Sequence, residues 1–291
     1  MQFSDPEAID SSRGSDLEQT VVVAVLTYRR PDMLDVLLAS METMESPSGA
    51  RVFFVVIDND HSESARGVVK ARSDKLGTVS YICERRRGIP IARNRALTEA
   101  NALGGDVLCF IDDDEYPDRN WLLRLVDCWR ETGVKIVGGP VDIAAPSSDA
   151  TAWQRFVNHS IAARARRKNR RTLLAAARNG KFTIVTNNWL CDLRWQRQTG
   201  IRFNETLLVS GGSDTAFFRS AIAAGARVAW CPQAKVFETM TPSRLSLAYQ
   251  FSRAAAQSIT HFRMKNETVT ARIAGLALSI SLIRFVLGAM L

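Results

Sequence analysis

Four consecutive acids, Asp112, Asp113, Asp114 and Glu115, stand at the end of the apolar run Asp106–Ile111. Like charges this close are costly to hold together unless a cation neutralises them. Mg2+ and Mn2+ favour one or two carboxylates, completed by the oxygens of a substrate phosphate. In an extended segment side chains alternate, which turns Asp112 and Asp114 one way and Asp113 the other. The plainer alternative is a solvated acidic turn. The position directly after a buried run argues against it, because that is where an open α/β sheet presents its ligands.

Other polar clusters fall at comparable positions. Thr27 and Tyr28 follow the run Val21–Leu26 and offer a hydroxyl and a ring to a base, with core packing of Tyr28 as the alternative. Asp58, Asn59 and Asp60 follow Arg51–Ile57. A carboxylate there can hydrogen-bond a ribose or base edge, or merely shape a turn. Arg85, Arg86, Arg87 and Gly88 precede a helix start, where a diphosphate finds guanidinium groups and backbone N–H groups together. One arginine is expected to serve it, taken here as Arg87. Gly211, Gly212, Ser213 and Asp214 open another helix, and Asp214 is either a general base or an N-cap.

The elements that must carry these groups alternate. Strands are expected at Val21–Leu26, Arg51–Ile57, Val79–Cys83 and Asp106–Ile111, with helices at Asp32–Met44, Ser64–Lys75 and Pro90–Leu103. Strand–helix alternation implies an α/β fold whose mainly parallel sheet is flanked by helices. Further on, Ile136–Val141 reads as strand or loop and Phe182–Leu190 as a strand. Gly211–Ala224 reads as a helix, Arg227–Cys231 as a strand and Ser243–Phe262 as a helix.

The chain has 291 residues, enough for one large domain, and a net charge of +8 that favours anionic partners. Five cysteines with no CxxC pair argue against a disulfide framework or a zinc site and suit a reducing compartment. Residues 1–18 are polar and lack the apolar core of an export signal, so they are expected to form a disordered leader. The run Ile273–Ile283 falls short of the roughly 18 apolar residues of a membrane span.

Taken together, the clusters resemble glycosyltransferase family 2, the GT-A type. The matching pieces, in the family's order, are VVVAVLTYRRPDMLDVLLASM, VFFVVIDND, RRRGIPIARNRALTEA, VLCFIDDDEYPDRNWL and GGSDTAFF. The resemblance covers about residues 19–240 and is strongest to bacterial exopolysaccharide transferases of the succinoglycan type. VFETMTPSRLSLAYQFSRAAAQS supports that branch. It implies a GT-A catalytic domain over 19–240 and a C-terminal helical extension over 241–291. Thr27, Tyr28 and Asp58 would hold the nucleoside, and Arg87, Asp112 and Asp113 would contact the rest of the donor. Asp112 and Asp114 would hold Mg2+ or Mn2+, and Asp214 would be the catalytic base. The family usually has Glu before that acid, where this chain has Ser213. The implied reaction is inverting transfer from a UDP-hexose, UDP-glucose first, to a saccharide on a polyprenyl diphosphate. The family's processive synthases carry a QxxRW motif. Here Gln250-Phe251-Ser252-Arg253-Ala254 lacks the Trp, so one sugar per encounter is expected.

Rival classes are a metal-dependent sugar nucleotidyltransferase and a basic membrane- or nucleic-acid-binding module. The turn after the first strand has no glycine, against the first. The basic stretch Arg164–Arg171 has no interleaved aromatics and no nucleic-acid motif around it, so nucleic acid is not an expected partner. That stretch and the C-terminal apolar run instead suggest a cytoplasmic enzyme, peripheral on the inner face of the cell membrane.

Overall fold

The computed structural model describes residues 18–178, 180–207, 212–265 and 279. Most of the leader, Gly211 and all but Ser279 of the Ile273–Ile283 run lie outside the described residues. The first half alternates as expected. It runs β1 (Gln19–Thr27), α1 (Pro31–Met41), β2 (Ala50–Asp58), α2 (Arg66–Leu76), β3 (Val79–Cys83), α3 (Ile89–Ala102) and β4 (Val107–Asp112). Then come β5 (Glu115–Pro117), α4 (Trp121–Thr132), β6 (Ile136–Gly138), β7 (Val141–Ile143) and α5 (Ala152–Ala177). The chain continues through β8 (Asn188–Asp192), α6 (Leu193–Thr199), α7 (Ser213–Ala223), β9 (Val228–Trp230), β10 (Val236–Glu238) and α8 (Leu247–Lys265).

The main sheet has seven strands in the order β3-β2-β1-β4-β8-β6-β9. Only β8 runs against its neighbours. Period-two alternation splits β1 between two cores. Val21, Val23 and Val25 face Leu34, Leu37 and Leu38 of α1 and Trp121, Leu122 and Leu125 of α4. Val22 and Ala24 face Ala92, Ala96 and Leu97 of α3 and Phe217 of α7. Helices therefore cover both faces of the sheet.

A small second sheet, β5-β10-β7, leaves the carboxyl end of β4. Its junction with the main sheet is held by one side chain. Asn188 accepts from Trp121 Nε1 at 2.8 Å and donates to the carbonyls of Pro140 (2.9 Å) and Ala234 (2.8 Å). A Cβ at Gly139 would collide with the Ala234 carbonyl, so only glycine fits between these strands.

Three expectations change. The expected Ile136–Val141 element is two short strands in different sheets, parted by Gly139-Pro140, which cannot continue a ladder. The strand expected over Phe182–Leu190 starts only at Asn188, because Asn187 and Asn188 serve side-chain hydrogen bonds at the entry. Helix α8 begins four residues later than Ser243, since 242–245 form a turn that carries Arg244. Among the described residues no helix is long and apolar enough to cross a membrane.

Candidate active site

The carboxyl ends of β1, β2 and β4 lie side by side in the sheet, which brings Thr27, Asp58 and the acidic run together. Strand β4 ends at Asp112, and Asp113-Asp114 form a turn. The strict alternation expected of Asp112–Asp114 therefore stops there. Asp113 and Asp114 share Arg30, whose Nη1 donates to Asp113 Oδ1 at 3.0 Å and to Asp114 Oδ2 at 3.1 Å. Asp113 is buried and also accepts from Thr27 Oγ1 at 2.9 Å. Thr27 thus orients a carboxylate, and its hydroxyl proton is committed to it.

Asp114 meets a second guanidinium. Arg244 Nη2 lies 2.5 Å from Asp114 Oδ2, and its Nη1 donates to Glu238 Oε1 at 3.2 Å. Asp112 differs from both neighbours. Its carboxylate accepts no hydrogen bond among the described residues, while its backbone N–H donates to Glu115 Oε2 at 3.1 Å. Burial pushes the Asp112 carboxyl up to about 7, against the pull of Arg93 and helped by repulsion from Asp114 and Asp113. Burial also holds the Glu115 carboxyl well above its ordinary range, with Asp112 adding to the shift. Among the described residues no group of three or more His, Cys, Asp or Glu is disposed to hold a metal ion. A divalent cation that takes two carboxylates and completes its shell with phosphate and water needs no such group. The unpartnered Asp112 and the one free oxygen of Asp114 fit that requirement.

The β2 end serves mainly to shape loops. Asp58 is fully buried and saturated, accepting from Asp60 N (3.0 Å), Ala65 N (2.9 Å) and Tyr81 Oη (2.8 Å). A nucleoside contact through this carboxylate requires the Tyr81 hydroxyl to yield. Asn59 staples the arginine loop. Its Nδ2 donates to the carbonyls of Glu84 (2.9 Å) and Arg86 (2.8 Å), and its Oδ1 accepts from Gly88 N at 2.8 Å. This fixes Arg87 with its guanidinium 5.0 Å from the centre of the Tyr28 ring, and Arg29 lies 5.2 Å from the same ring. Both contacts are cation–π in character. Tyr28 is therefore a half-exposed aromatic plane flanked by positive charge, suited to a base and its phosphates.

Asp214 sits in the first turn of α7. The cap is Gly212, which is left-handed with φ 86°, and no side chain caps the helix. The N-cap alternative for Asp214 is thereby removed. The residue that ties it to the acids is Arg93 of α3. Arg93 is half-buried within electrostatic reach of both Asp112 and Asp214, donates to Ser213 Oγ at 3.1 Å and lies over the Phe203 ring at 5.4 Å. Burial pulls its pKa down against the hold of these two acids. Arg93, Arg30, Arg244 and Glu238 were not singled out as site residues by sequence reasoning. For Arg93 a signal exists: a cation sits beside Ala92, Ala96 and Leu97 on a helix face otherwise given to the core.

Comparison with known proteins agrees with this arrangement. The family profile described as Glycosyl transferase family 2 matches residues 22–193. The succinoglycan biosynthesis protein ExoM of Rhizobium meliloti (strain 1021) is 35% identical over 247 residues, 84% of this chain and 75% of that protein. Among solved structures, TarS 1–349 of S. aureus in complex with UDP aligns with TM-score 0.55 at 16% identity, covering 91% of this chain and 71% of that one. The mannosyltransferase PcManGT from Pyrobaculum calidifontis, in complex with GDP-Man and Mn2+, gives 0.60 at 18% identity, covering 93% and 75%. The expected GT-A fold, α/β with a mostly parallel central sheet flanked by helices, is the one observed.

Proposed function

This chain belongs to glycosyl transferase family 2, and from that premise we propose that it moves one hexose from a UDP-linked donor, UDP-glucose first, to a saccharide carried on a polyprenyl diphosphate. The product would enter an exopolysaccharide, in keeping with the succinoglycan biosynthesis protein of Rhizobium meliloti that the chain resembles. Family membership removes the nucleotidyltransferase alternative. One observation carries the reading: among the described residues the Asp112 carboxylate has no hydrogen-bond partner, yet it stands with Asp214 around the half-buried Arg93.

Tyr28 would stack on the base, and Arg87 would meet the diphosphate. Thr27 would hold Asp113 toward the donor. Asp58 would reach the nucleoside only by exchanging Tyr81. Asp112 and Asp114 would hold Mg2+ or Mn2+, which when bound offsets negative charge on the leaving diphosphate. Asp214 would take the proton of the acceptor hydroxyl. That oxygen would bond to the anomeric carbon as its bond to the diphosphate oxygen breaks, the electron pair leaving with the nucleoside diphosphate. A single displacement of this kind inverts the anomeric centre. The test is UDP-hexose turnover with and without Mn2+ in Asp112→Asn and Asp114→Asn. Both variants should lose metal-stimulated turnover with unchanged circular dichroism. Wild-type turnover in either refutes the metal assignment.

A peripheral position on the cytoplasmic face of the membrane belongs to the same proposal. It is supported by α5, which has no acidic residue. Its outer face, read at helical spacing, carries Trp153, Phe156, Arg164, Arg167, Arg171 and Leu174, all exposed. None of these arginines forms an ion pair among the described residues. Aromatics and arginines on one face suit an anionic bilayer surface. Flotation with anionic liposomes at low salt should lift the protein, and Arg164→Glu with Arg167→Glu should leave it in the soluble fraction. A wild-type protein that stays soluble refutes this part.

A further inference from the structure

A cavity of about 260 Å3 opens between the loop 147–150, the first turn of α5 and the segment 240–245. The donor reading makes no use of it. Its wall joins the acidic cluster by direct chain connection on both sides. Met240 lines the cavity, and the N–H of Thr239 before it donates to the Asp114 carbonyl at 2.8 Å. Leu245 lines it too, and Arg244 before it holds the Asp114 carboxylate. Two residues of the cavity wall are thus each one step along the chain from a group that holds Asp114, which puts the cavity near the acidic turn.

The lining is divided in character. Met240, Pro242 and Leu245 give one apolar side. Asp149 and Gln154 give a polar side. Asp149 accepts from the Ser147 hydroxyl through Oδ1, and neither of its oxygens enters an ion pair among the described residues. Gln154 uses its Oε1 to accept from Thr151 N at 2.8 Å, which closes the capping box of α5. That contact fixes the amide, and its NH2 group, without an acceptor among the described residues, can donate. A carboxylate acceptor, a fixed amide donor and an apolar wall are what a sugar ring needs. Hydroxyls face the first two, and the C–H face of the ring packs on the third. A purely apolar lipid would strand the carboxylate and the amide without partners.

We propose that this cavity receives the terminal sugar of the acceptor, with Asp149 and Gln154 as its hydroxyl-binding groups. The inference rests on the glycosyl-transfer reading above and adds the acceptor subsite to it. Gln154 also lies next to Trp153, where the outer face of α5 begins. A saccharide could thus occupy the cavity while its lipid stays in a membrane below that face.

The experiment uses the full chain with UDP and Mn2+, and methyl β-glucoside and methyl β-galactoside as probes. Saturation-transfer NMR should show one of the two glycosides bound to the wild type. In Asp149→Ala and Gln154→Ala the signal should fall at least fivefold, and the acceptor KM should rise about tenfold or more, the scale of a lost hydrogen bond to a charged or fixed group. UDP affinity by calorimetry should stay within twofold. Folding is checked by a cooperative thermal transition, unchanged in Asp149→Ala and lowered by a few degrees at most in Gln154→Ala, which loses the capping box; Gln154→Glu, which keeps that acceptor and removes the NH2 donor, should show the same loss of glycoside binding. Wild-type glycoside binding and KM in both variants overturns the subsite and leaves the donor reading standing. Failure of the wild type to bind either glycoside also overturns it. Failure to bind UDP at all sinks the donor reading, and the subsite with it.

Discussion

Replacing Arg244 by Gln separates two roles of the guanidinium at Asp114. Arg244 and Asp114 are 13% and 9% exposed, and their closest atoms are 2.5 Å apart. Taking the charge centres as about 4 Å apart, an effective dielectric near 20 gives about 4 kcal/mol of attraction. Desolvation of both groups offsets much of this. Breaking a buried pair from one side typically costs about 3–5 kcal/mol, because a bare charge is left behind. Here Arg30 still contacts Asp114, so the loss should fall to about 2 kcal/mol. For a chain of 291 residues that is a fall in Tm of about 3–4 °C. The second consequence has the opposite sign. Without Arg244, Mn2+ meets one guanidinium at Asp114, that of Arg30, in place of two, so Mn2+ alone should bind about tenfold tighter, a change of about 1.4 kcal/mol. Free Mn2+ is counted by its electron paramagnetic resonance signal, without nucleotide, and Tm is measured with and without the ion. Mn2+ should recover part of the lost Tm in the variant. Equal Mn2+ affinity in the two proteins would refute the idea that Arg244 guards the site.

Asp214→Asn should lower kcat by about 10²–10⁴-fold, the usual worth of a general base, with UDP affinity unchanged by calorimetry. A wild-type kcat would return Asp214 to a structural role. Asn59→Ala removes three hydrogen bonds from the arginine loop. It should cost about 2–3 kcal/mol in denaturant unfolding, at about 1 kcal/mol each, and weaken UDP binding. If UDP affinity holds, Arg87 is not a donor contact. Asp60 has its carboxyl lowered from its ordinary 3.8 to about 2, first by the Ser62 hydroxyl and against the effect of burial. A lowered acid stabilises the fold fully above pH 3.8 and loses that contribution as pH falls through 2. Asp60→Asn should therefore flatten the acid limb of stability between these values, and an unchanged limb in a pH series of thermal melts would contradict the assignment.

Strands β1, β2 and β4 were legible because each is an apolar run largely buried on both faces, and such runs end where polar residues begin. The acidic run and Thr27 were found for the same reason. Helix α4 was not read, although Trp121, Leu122, Leu125 and Val126 have helical spacing. The acidic motif before it drew attention to its chemistry instead of its continuation. Strands β5, β7 and β10 have three residues each, too short for periodicity to register, and only their mutual pairing defines them. That small sheet is what carries Glu238 and aims Arg244, so two of the missed site residues depend on long-range pairing. Asn59 was legible as a strand-end polar residue but not as a staple, since its partners lie about 25 residues away.

The charges of the cleft also say what kind of ligand it accepts. Asp112, Asp113, Asp114 and Glu238 face Arg30, Arg93 and Arg244, and burial raises the carboxyls of Asp112, Asp113 and Glu238. A free diphosphate entering this cleft would add negative charge to a site that already holds too much. A free divalent cation would meet two guanidinium groups already beside Asp114. The two together would solve both problems. On the proposed reading the cation would take Asp112 and the free oxygen of Asp114, and the arginines would be left beside the phosphates that arrive with it. Metal and nucleotide should therefore bind far better together than either alone. On that reading Arg93 would stand between the donor end at Asp112 and the proposed base Asp214, so one half-buried cation would link the two halves of the reaction in place of separate loops.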